Sequence, residues 1–248
     1  MTNESKRFYS IQRYENNADV YIFGDIVEER WWEEEVSPTS LIEEIKNLDV
    51  SEINVHINSY GGNVSAGWAI YSALRETKAK IKTYADGFVC SAANYPYLAG
   101  DERYASPVSA FYLHNVMSGA MGYAEDLRKA ADEIEKLTEI GINAFVERAG
   151  MDRETVKALY DAETWLSPQE AKDYGIVTEI LSESEQNLTQ NARQAVYQRL
   201  FSKDLEESGT PAKEITESPA EPAEQPAEDS KPVKTMFDRL AGFYNAKN

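Results

Sequence analysis

Short apolar runs alternate with amphipathic segments between residues 18 and 180, and this rhythm limits the folds open to the chain. The runs Val20-Tyr21-Ile22-Phe23 and Ile53-Asn54-Val55-His56-Ile57 predict strands. Between them, Ser37-Pro38-Thr39 is a typical helix start. Strands that alternate with helices predict a layered α/β domain. Ligand sites in such domains lie at the carboxyl ends of parallel strands, so we expect the chemistry in the turns that follow the strands.

The rest of this region continues the alternation. After the turn Gly61-Gly62 we expect a helix that packs through Ala66, Ala69, Ile70 and Leu74. A helix is also expected from Ser91. The remaining predicted elements are strands at 81–85, 103–105, 111–113 and 176–180, a helix at 152–159, and a helix opened by the capping box Ser167-Pro168-Gln169-Glu170.

Residues 124–148 predict one long helix of about 37 Å. Its apolar positions recur at alternating intervals of three and four residues and form a narrow seam, made of Leu127, Ala130, Ile134, Leu137, Gly141 and Ala144. Such a seam faces either another subunit or the helix's own domain. The sequence leaves both interpretations open.

Charge and cysteine content exclude several classes of function. The chain has 25 lysines and arginines against 43 aspartates and glutamates, so its net charge of −18 disfavours nucleic acid and anionic membranes as partners. A single cysteine, Cys90, excludes an internal disulfide and a cysteine-cluster metal site. We expect neither a metal nor an organic cofactor. The first residues lack an apolar core and no 18-residue apolar run occurs, so a cytoplasmic location is expected.

Composition changes near residue 204. Nine acids, one base and four prolines occur between Asp204 and Ser230, which predicts a disordered acidic linker over 204–233. Residues 234–248 predict a short amphipathic helix, which is either a frayed end or a docking peptide, with Met236, Phe237, Leu240, Phe243 and Tyr244 at helical spacing. The predicted domains are therefore an N-terminal segment at 1–17, a catalytic domain at 18–183, a helical extension at 184–203, the linker and the terminal helix.

Ser91 is the candidate nucleophile, because small residues after a strand place it at a strand-to-helix turn. A serine hydroxyl needs a base within hydrogen-bond reach, and the chain has two histidines, His56 and His114. His56 lies in the middle of a strand, where we expect a structural role. His114 ends an apolar strand and precedes a loop, a position from which its side chain can reach a cleft. We therefore predict His114 as the general base.

Two backbone amides are candidates for an oxyanion hole. Gly62 has no side chain to keep a developing oxyanion away from its N–H, and Ala92 directly follows the nucleophile. The other interpretation of Gly61-Gly62 is an ordinary tight turn. Cys90 is an alternative nucleophile, although its neighbour Ser91 fits the pattern better.

In this order the motifs resemble the ClpP family, the self-compartmentalised serine peptidases of the Clp protease. The matching segments lie between Tyr21 and Ile180 and are Ile57-Asn58-Ser59-Tyr60-Gly61-Gly62-Asn63-Val64-Ser65-Ala66-Gly67, the stretch from Gly87 to Ser91, the His114 strand, and Trp165 to Val177. The resemblance implies a ClpP/crotonase-like layered βαβ spiral with a long protruding helix. It also implies a homo-oligomeric ring, Ser91 as nucleophile, His114 as base, and Gly62 and Ala92 as oxyanion donors.

The third member of the triad departs from the family pattern. The resemblance assigns this role to Glu163, where the family usually has aspartate, and Asp161 is the alternative. Glutamate can orient an imidazole as aspartate does, although its longer side chain requires the backbone to lie farther back. Two more departures are Tyr60 in place of a proline and Cys90 in place of an alanine. His114 also lacks the proline-containing segment that commonly follows.

These departures resemble a branch of the family, the head-maturation proteases of tailed phages and prophages. The resemblance rests on Tyr21 to Val27, on Glu163-Thr164-Trp165 and on the acidic extension. It implies capsid or scaffold protein as substrate and a location in the host cytoplasm, including phage procapsids. Alternatives are a bacterial ATP-dependent Clp subunit, a crotonase-type acyl-CoA enzyme, and an inactive assembly or scaffold factor that keeps the fold.

Overall fold

The computed structural model describes residues 9–26 and 38–182. The predicted helical extension at 184–203, the linker at 204–233 and the terminal helix at 234–248 lie outside the described residues. Residues 1–8 of the predicted N-terminal segment and Ser37 of the predicted helix start also lie outside them.

One mixed sheet of eight strands organises the described residues. Strands β2, β3 and β4 run parallel, and β5 and β6 each pair in parallel with a different part of β4. β1 pairs antiparallel with β2, and β7 pairs antiparallel with β6. The strands are β1 Tyr9–Arg13, β2 Asn17–Phe23, β3 Glu52–Ser59, β4 Lys80–Cys90, β5 Glu102–Ala105, β6 Ala110–Leu113, β7 Thr164–Leu166 and β8 Glu179–Ile180.

Helices cross between the parallel strands and cover the sheet. The helices are α1 Pro38–Lys46, α2 Val64–Glu76, α3 Asn94–Leu98, α4 Ala124–Ala149, α5 Arg153–Asp161 and α6 Pro168–Asp173, and a short 3₁₀ turn at Ser91–Ala93 precedes α3. Leu41 of α1 and Leu74 of α2 are fully buried in one cluster with Val20 and Val55 of the sheet. Each such side chain stabilises the fold by about 1.5–3 kcal/mol. The predicted layered α/β domain is confirmed.

Four details differ from the sequence expectations. Strand β1 was not predicted, and β4 continues past Gly87 to Cys90. Ala69 was expected in the core, but it is exposed on α2. Strand β8 has only two residues, because the amides of Ile176 and Val177 donate to the carbonyl oxygen of Ala171 instead of joining the sheet.

The two halves of α4 have different surroundings. In its second half Thr138, Gly141, Ile142 and Phe145 are buried, and a Cβ on Gly141 would overlap the Tyr95 hydroxyl. The first half protrudes, and Leu127 is 46% exposed. The seam therefore packs on its own domain at one end and is open to solvent at the other.

Over residues 9–26 and 38–182, none of the helices combines the length and apolar character needed to cross a bilayer.

Candidate active site

Ser91 lies at the point where β4 ends and the 3₁₀ turn before α3 begins. Its backbone φ is +52°, a conformation that residues with side chains rarely adopt. Holding a residue in this conformation costs about 1–3 kcal/mol and needs support from the surrounding structure. The predicted strand-to-helix position of the serine is therefore present, in a strained form.

Asn94, the first residue of α3, supplies part of that support. Its side chain is buried, and its Nδ2 donates both to the carbonyl oxygen of Ser91 and to that of Tyr112, at 3.0 Å each. One amide thus joins the nucleophile's turn to β6. Since β6 also pairs with β4 through Cys90 and Tyr112, this part of the two strands is fixed at a short separation.

His114 directly follows β6, and the pairing of β6 with β4 brings its side chain to Ser91. His114 Nε2 lies 2.7 Å from Ser91 Oγ, a normal hydrogen-bond distance. Burial lowers the pKa of His114 below its ordinary value of 6.5, while a hydrogen bond to the backbone of Asn115 and the charge of Glu163 act in the opposite direction. A neutral imidazole beside a serine hydroxyl can accept its proton.

The two candidate acids are held by different neighbours of His114. Tyr112 donates its hydroxyl hydrogen to Glu163 Oε2 over 3.3 Å, and Asn115 donates from Nδ2 to Asp161 Oδ1 over 2.9 Å. Neither carboxylate is hydrogen-bonded to the imidazole. The charge that acts on His114 is that of Glu163, so the electrostatics favour Glu163 over Asp161.

The glycine turn packs directly against the nucleophile. A Cβ on Gly61 would lie 2.5 Å from the Cys90 carbonyl oxygen and 2.8 Å from the Ala92 nitrogen. Gly62 has φ +133° and forms a bridge with Ile26 that uses the Gly61 carbonyl and the Asn63 amide. The Gly62 N–H takes no part in the hydrogen bonds of this bridge, so it can still donate to an oxyanion. Gly62 and Ala92 therefore both remain candidates for the oxyanion hole.

The competing residues have other surroundings. His56 Nδ1 lies 3.0 Å from Asp86 Oδ2, and the two side chains are 5% and 2% exposed. Its ring stacks between Tyr21 and Tyr84, with centroids at 4.8 and 4.6 Å, which agrees with a structural role. Burial raises the pKa of Cys90 to about 12, so its thiol stays protonated and is a poor nucleophile.

An aromatic strip that no sequence pattern revealed lies beside the site and is made of Tyr60, Phe88, Trp165 and Tyr112. Successive ring centroids lie 4.9, 5.9 and 4.6 Å apart, and Tyr112 then stacks on His114 at 5.3 Å. The four residues come from separate segments, so no local pattern could have revealed the strip. No group of three or more histidine, cysteine or acidic side chains in the described residues could hold a metal ion.

Comparison with known proteins places this site in context. A sequence model described as Clp protease matches residues 4–184, a span that contains every candidate site residue. The ATP-dependent Clp protease proteolytic subunit of Dehalococcoides mccartyi is 35% identical over 136 residues, which are 54% of this chain and 68% of that protein. Its counterpart from Bacteroides fragilis is 35% identical over 132 residues, 52% of this chain and 64% of that protein.

The fold is also similar to that of a solved structure of a ClpP protein. A ClpP1 mutant from Listeria monocytogenes superposes with a TM-score of 0.58 and 28% sequence identity, covering 66% of this chain and 91% of that one.

Proposed function

The chain belongs to the Clp protease family and is a ClpP-type serine protease, and from that premise we propose that Ser91, His114 and Glu163 form its catalytic triad. The observation that carries this proposal is the 2.7 Å hydrogen bond between His114 Nε2 and Ser91 Oγ. A serine and a base in this relation are the minimum apparatus for nucleophilic acyl transfer.

The reaction begins when Ser91 Oγ adds to the carbonyl carbon of a peptide bond and its proton passes to His114 Nε2. The carbonyl oxygen becomes an oxyanion, which the amides of Gly62 and Ala92 stabilise. His114 then gives the proton to the leaving nitrogen as the C–N bond breaks. Water, deprotonated by the same imidazole, releases the acyl group and restores the serine.

Glu163 has an electrostatic part in this scheme. When the imidazole takes the serine proton it becomes a cation, and a nearby carboxylate stabilises that cation. Support comes from the raising effect of the Glu163 charge on the pKa of His114. Asp161 is the second candidate for this role, through Asn115.

The proposed biological role is head maturation, with capsid or scaffold protein of a phage as substrate. It is supported by the resemblance of Tyr21 to Val27, of Glu163-Thr164-Trp165 and of the acidic extension to that branch. A second candidate is a housekeeping subunit that works with an ATP-driven unfoldase, since the curated relatives carry the name ATP-dependent Clp protease proteolytic subunit. In both roles we expect a homo-oligomeric ring.

A fluorophosphonate probe tests the chemistry, because it labels only activated serines. We expect labelling of the wild type and of Cys90→Ala, and none of Ser91→Ala. Labelling of Ser91→Ala would contradict the proposal that Ser91 is the nucleophile. The Cys90→Ala variant controls for a change at the neighbouring buried position.

The biological role needs a separate experiment. The protein is co-expressed with phage capsid and scaffold proteins, and new termini are identified by mass spectrometry, with Ser91→Ala as control. Specific cleavage without added ATPase supports head maturation. Cleavage that requires an unfoldase and ATP supports the housekeeping role instead.

A further inference from the structure

The pairing of β6 with β7 sets the geometry around the catalytic histidine. These strands are antiparallel, with Tyr112 opposite Trp165 and Leu113 opposite Thr164. Glu163 precedes β7 in a turn, where its amide donates to the Tyr160 carbonyl oxygen over 3.1 Å. Its φ of +49° is not that of an extended strand, so its side chain approaches Tyr112 from the end of the strand pair. On β6 and just after it, Tyr112 and His114 are two residues apart and their rings stack.

Tyr112 is anchored at two ends. Its carbonyl oxygen accepts from Asn94 Nδ2, the same atom that donates to the carbonyl of Ser91. Its hydroxyl donates to Glu163 Oε2 over 3.3 Å. Tyr112 therefore connects the nucleophile's turn to the candidate acid.

The ring of Tyr112 is also fixed between two others. Its centroid lies 4.6 Å from that of Trp165 and 5.3 Å from that of His114, with an angle of 29° between the planes in both pairs. A ring held in this way keeps its hydroxyl at a defined place. The phenol thus offers a rigid donor beside an exposed glutamate.

We propose that Tyr112 is a positioning residue that holds the Glu163 carboxylate beside the His114 imidazole. The proposal rests on the catalytic roles proposed above for His114 and Glu163. Glutamate has one more rotatable bond than aspartate, so ordering its carboxylate costs more conformational entropy. The hydrogen bond from Tyr112 engages Oε2 and so restricts the side chain to positions from which its charge acts on His114.

The protonation states agree with this arrangement. Burial and the charge of Glu163 raise the pKa of Tyr112, so the phenol remains a donor near neutral pH. The charge of Glu163 raises the pKa of His114 against the larger effect of burial. If the carboxylate moves away, the pKa of His114 falls.

The test compares Tyr112→Phe with Tyr104→Phe, a matched control. The hydroxyl of Tyr104 also donates to a glutamate, Glu102, over 2.9 Å, but on β5. For Tyr112→Phe we expect kcat to fall on the order of tenfold with little change in KM, because a hydrogen bond to a charged group is lost. The acid limb of kcat/KM moves to lower pH. Tyr104→Phe should change neither kcat nor the acid limb of the kcat/KM profile.

The effect must act through Glu163, and a double variant tests this. In a Glu163→Gln background, Tyr112→Phe adds no further loss of kcat if the proposal is right. Equal losses in both backgrounds contradict it, as does a Tyr112→Phe enzyme with wild-type or higher kcat. Equal losses mean that Tyr112 acts on substrate or on the fold.

An NMR titration separates this proposal from the proposed function, since it needs no substrate. The chain has two histidines, so the His114 ring signals are identified by comparison with a His114→Gln sample. The pKa of His114 falls in Tyr112→Phe and stays at the wild-type value in Tyr104→Phe. An unchanged or raised pKa in Tyr112→Phe overturns the proposal. If the pKa falls as expected but the fluorophosphonate does not label the wild type, the positioning contact stands and the proposed protease function fails.

Discussion

At the scale of single residues, backbone strain coincides with the proposed triad. Within residues 9–26 and 38–182, the residues with a side chain and a positive φ are Ser91, at +52°, and Glu163, at +49°. Such conformations persist where the surrounding structure forces them, and they cluster at functional sites. Asn94 and the β6–β7 pairing provide that support here.

Gly61→Ala is expected to abolish most of the activity. A Cβ at this position would meet the Cys90 carbonyl oxygen at 2.5 Å and the Ala92 nitrogen at 2.8 Å, so the turn that carries Ser91 must move. We expect kcat/KM to fall on the order of a hundredfold or more, measured with a peptide substrate.

Gly150→Ala is the control for Gly61→Ala. Gly150 also has a positive φ, +71°, but a Cβ there would meet nothing within 4 Å. The Gly150→Ala variant should keep its activity. Its unfolding free energy should fall by about 1–2 kcal/mol, because alanine is disfavoured in the left-handed conformation. Equal loss of activity in the two variants would show that the close approach to Ser91 is unimportant.

Glu163→Gln and Asp161→Asn distinguish the two candidate acids. A neutral glutamine no longer raises the pKa of His114, so that pKa falls and the acid limb of the kcat/KM profile moves to lower pH. We expect kcat to fall on the order of a hundredfold, since the imidazolium loses its carboxylate. Asp161→Asn should leave the pH profile in place. The reverse pattern would assign the role to Asp161.

The sequence alone was enough to predict the site residues that a local pattern marks. Small residues after a strand indicated Ser91, and a histidine at a strand end indicated His114. Tyr112 and Trp165 escaped it, because their contacts depend on the register of two strands about fifty residues apart in sequence. The family pattern supplied Glu163, but not its hydrogen bond to Tyr112.

At the scale of secondary-structure elements, α3 aligns the nucleophile and the base. Asn94 at its start holds carbonyl oxygens of both Ser91 and Tyr112. Asn94→Ala leaves both without this donor, so we expect a loss of about 1–3 kcal/mol in unfolding free energy. We also expect a fall in kcat, because the distance from His114 to Ser91 is no longer fixed. Urea unfolding and steady-state kinetics measure the two effects.

Thr83→Val is the matched control for Asn94→Ala. Thr83 Oγ1 donates to the Tyr97 carbonyl over 2.8 Å and likewise joins β4 to α3 inside the core. This variant should lose stability but keep kcat. If Asn94→Ala behaves in the same way, its role is limited to stability.

Long periodic elements were predictable, and short edge strands were not. Helix α4 was expected at 124–148 and is Ala124–Ala149, because its seam and its glycine end are local signals. Strand β1 has only five residues, which is too few for its apolar pattern to distinguish a strand from a loop, although Asn16 and Asn17 follow it as a turn signal. Strand β8 is short because α6 takes the preceding amides, an effect of tertiary contacts that sequence cannot show.

At the scale of the whole molecule, charge and assembly are the remaining determinants. The net charge of −18 includes the acidic stretch after residue 204, for which composition predicts a tether. Deleting residues 204–248 should preserve cleavage of a short peptide, because every candidate site residue lies before residue 164. Under the proposed head-maturation role, it should also reduce incorporation of the enzyme into proheads, measured on purified particles. Unchanged incorporation would exclude the tether role.

We propose the exposed first half of α4 as a surface for contacts between subunits. Leu127 is 46% exposed there and Ile134 is half-buried, although both belong to the narrow apolar seam. Burying such side chains at an interface contributes about 25 cal/mol per Å² of apolar area. We therefore expect the double variant Leu127→Gln and Ile134→Gln to shift the assembly towards smaller species in analytical ultracentrifugation.

The control for this double variant lies on the opposite side of the same helix turns, as Glu125→Gln and Asp132→Asn. These substitutions remove charge but no apolar surface, so the assembly should be unaffected. Activity should fall with disassembly in the seam variant, while the pKa of His114, measured by NMR, stays at the wild-type value. A seam variant that keeps the wild-type sedimentation coefficient would mean that subunits meet elsewhere on the molecule.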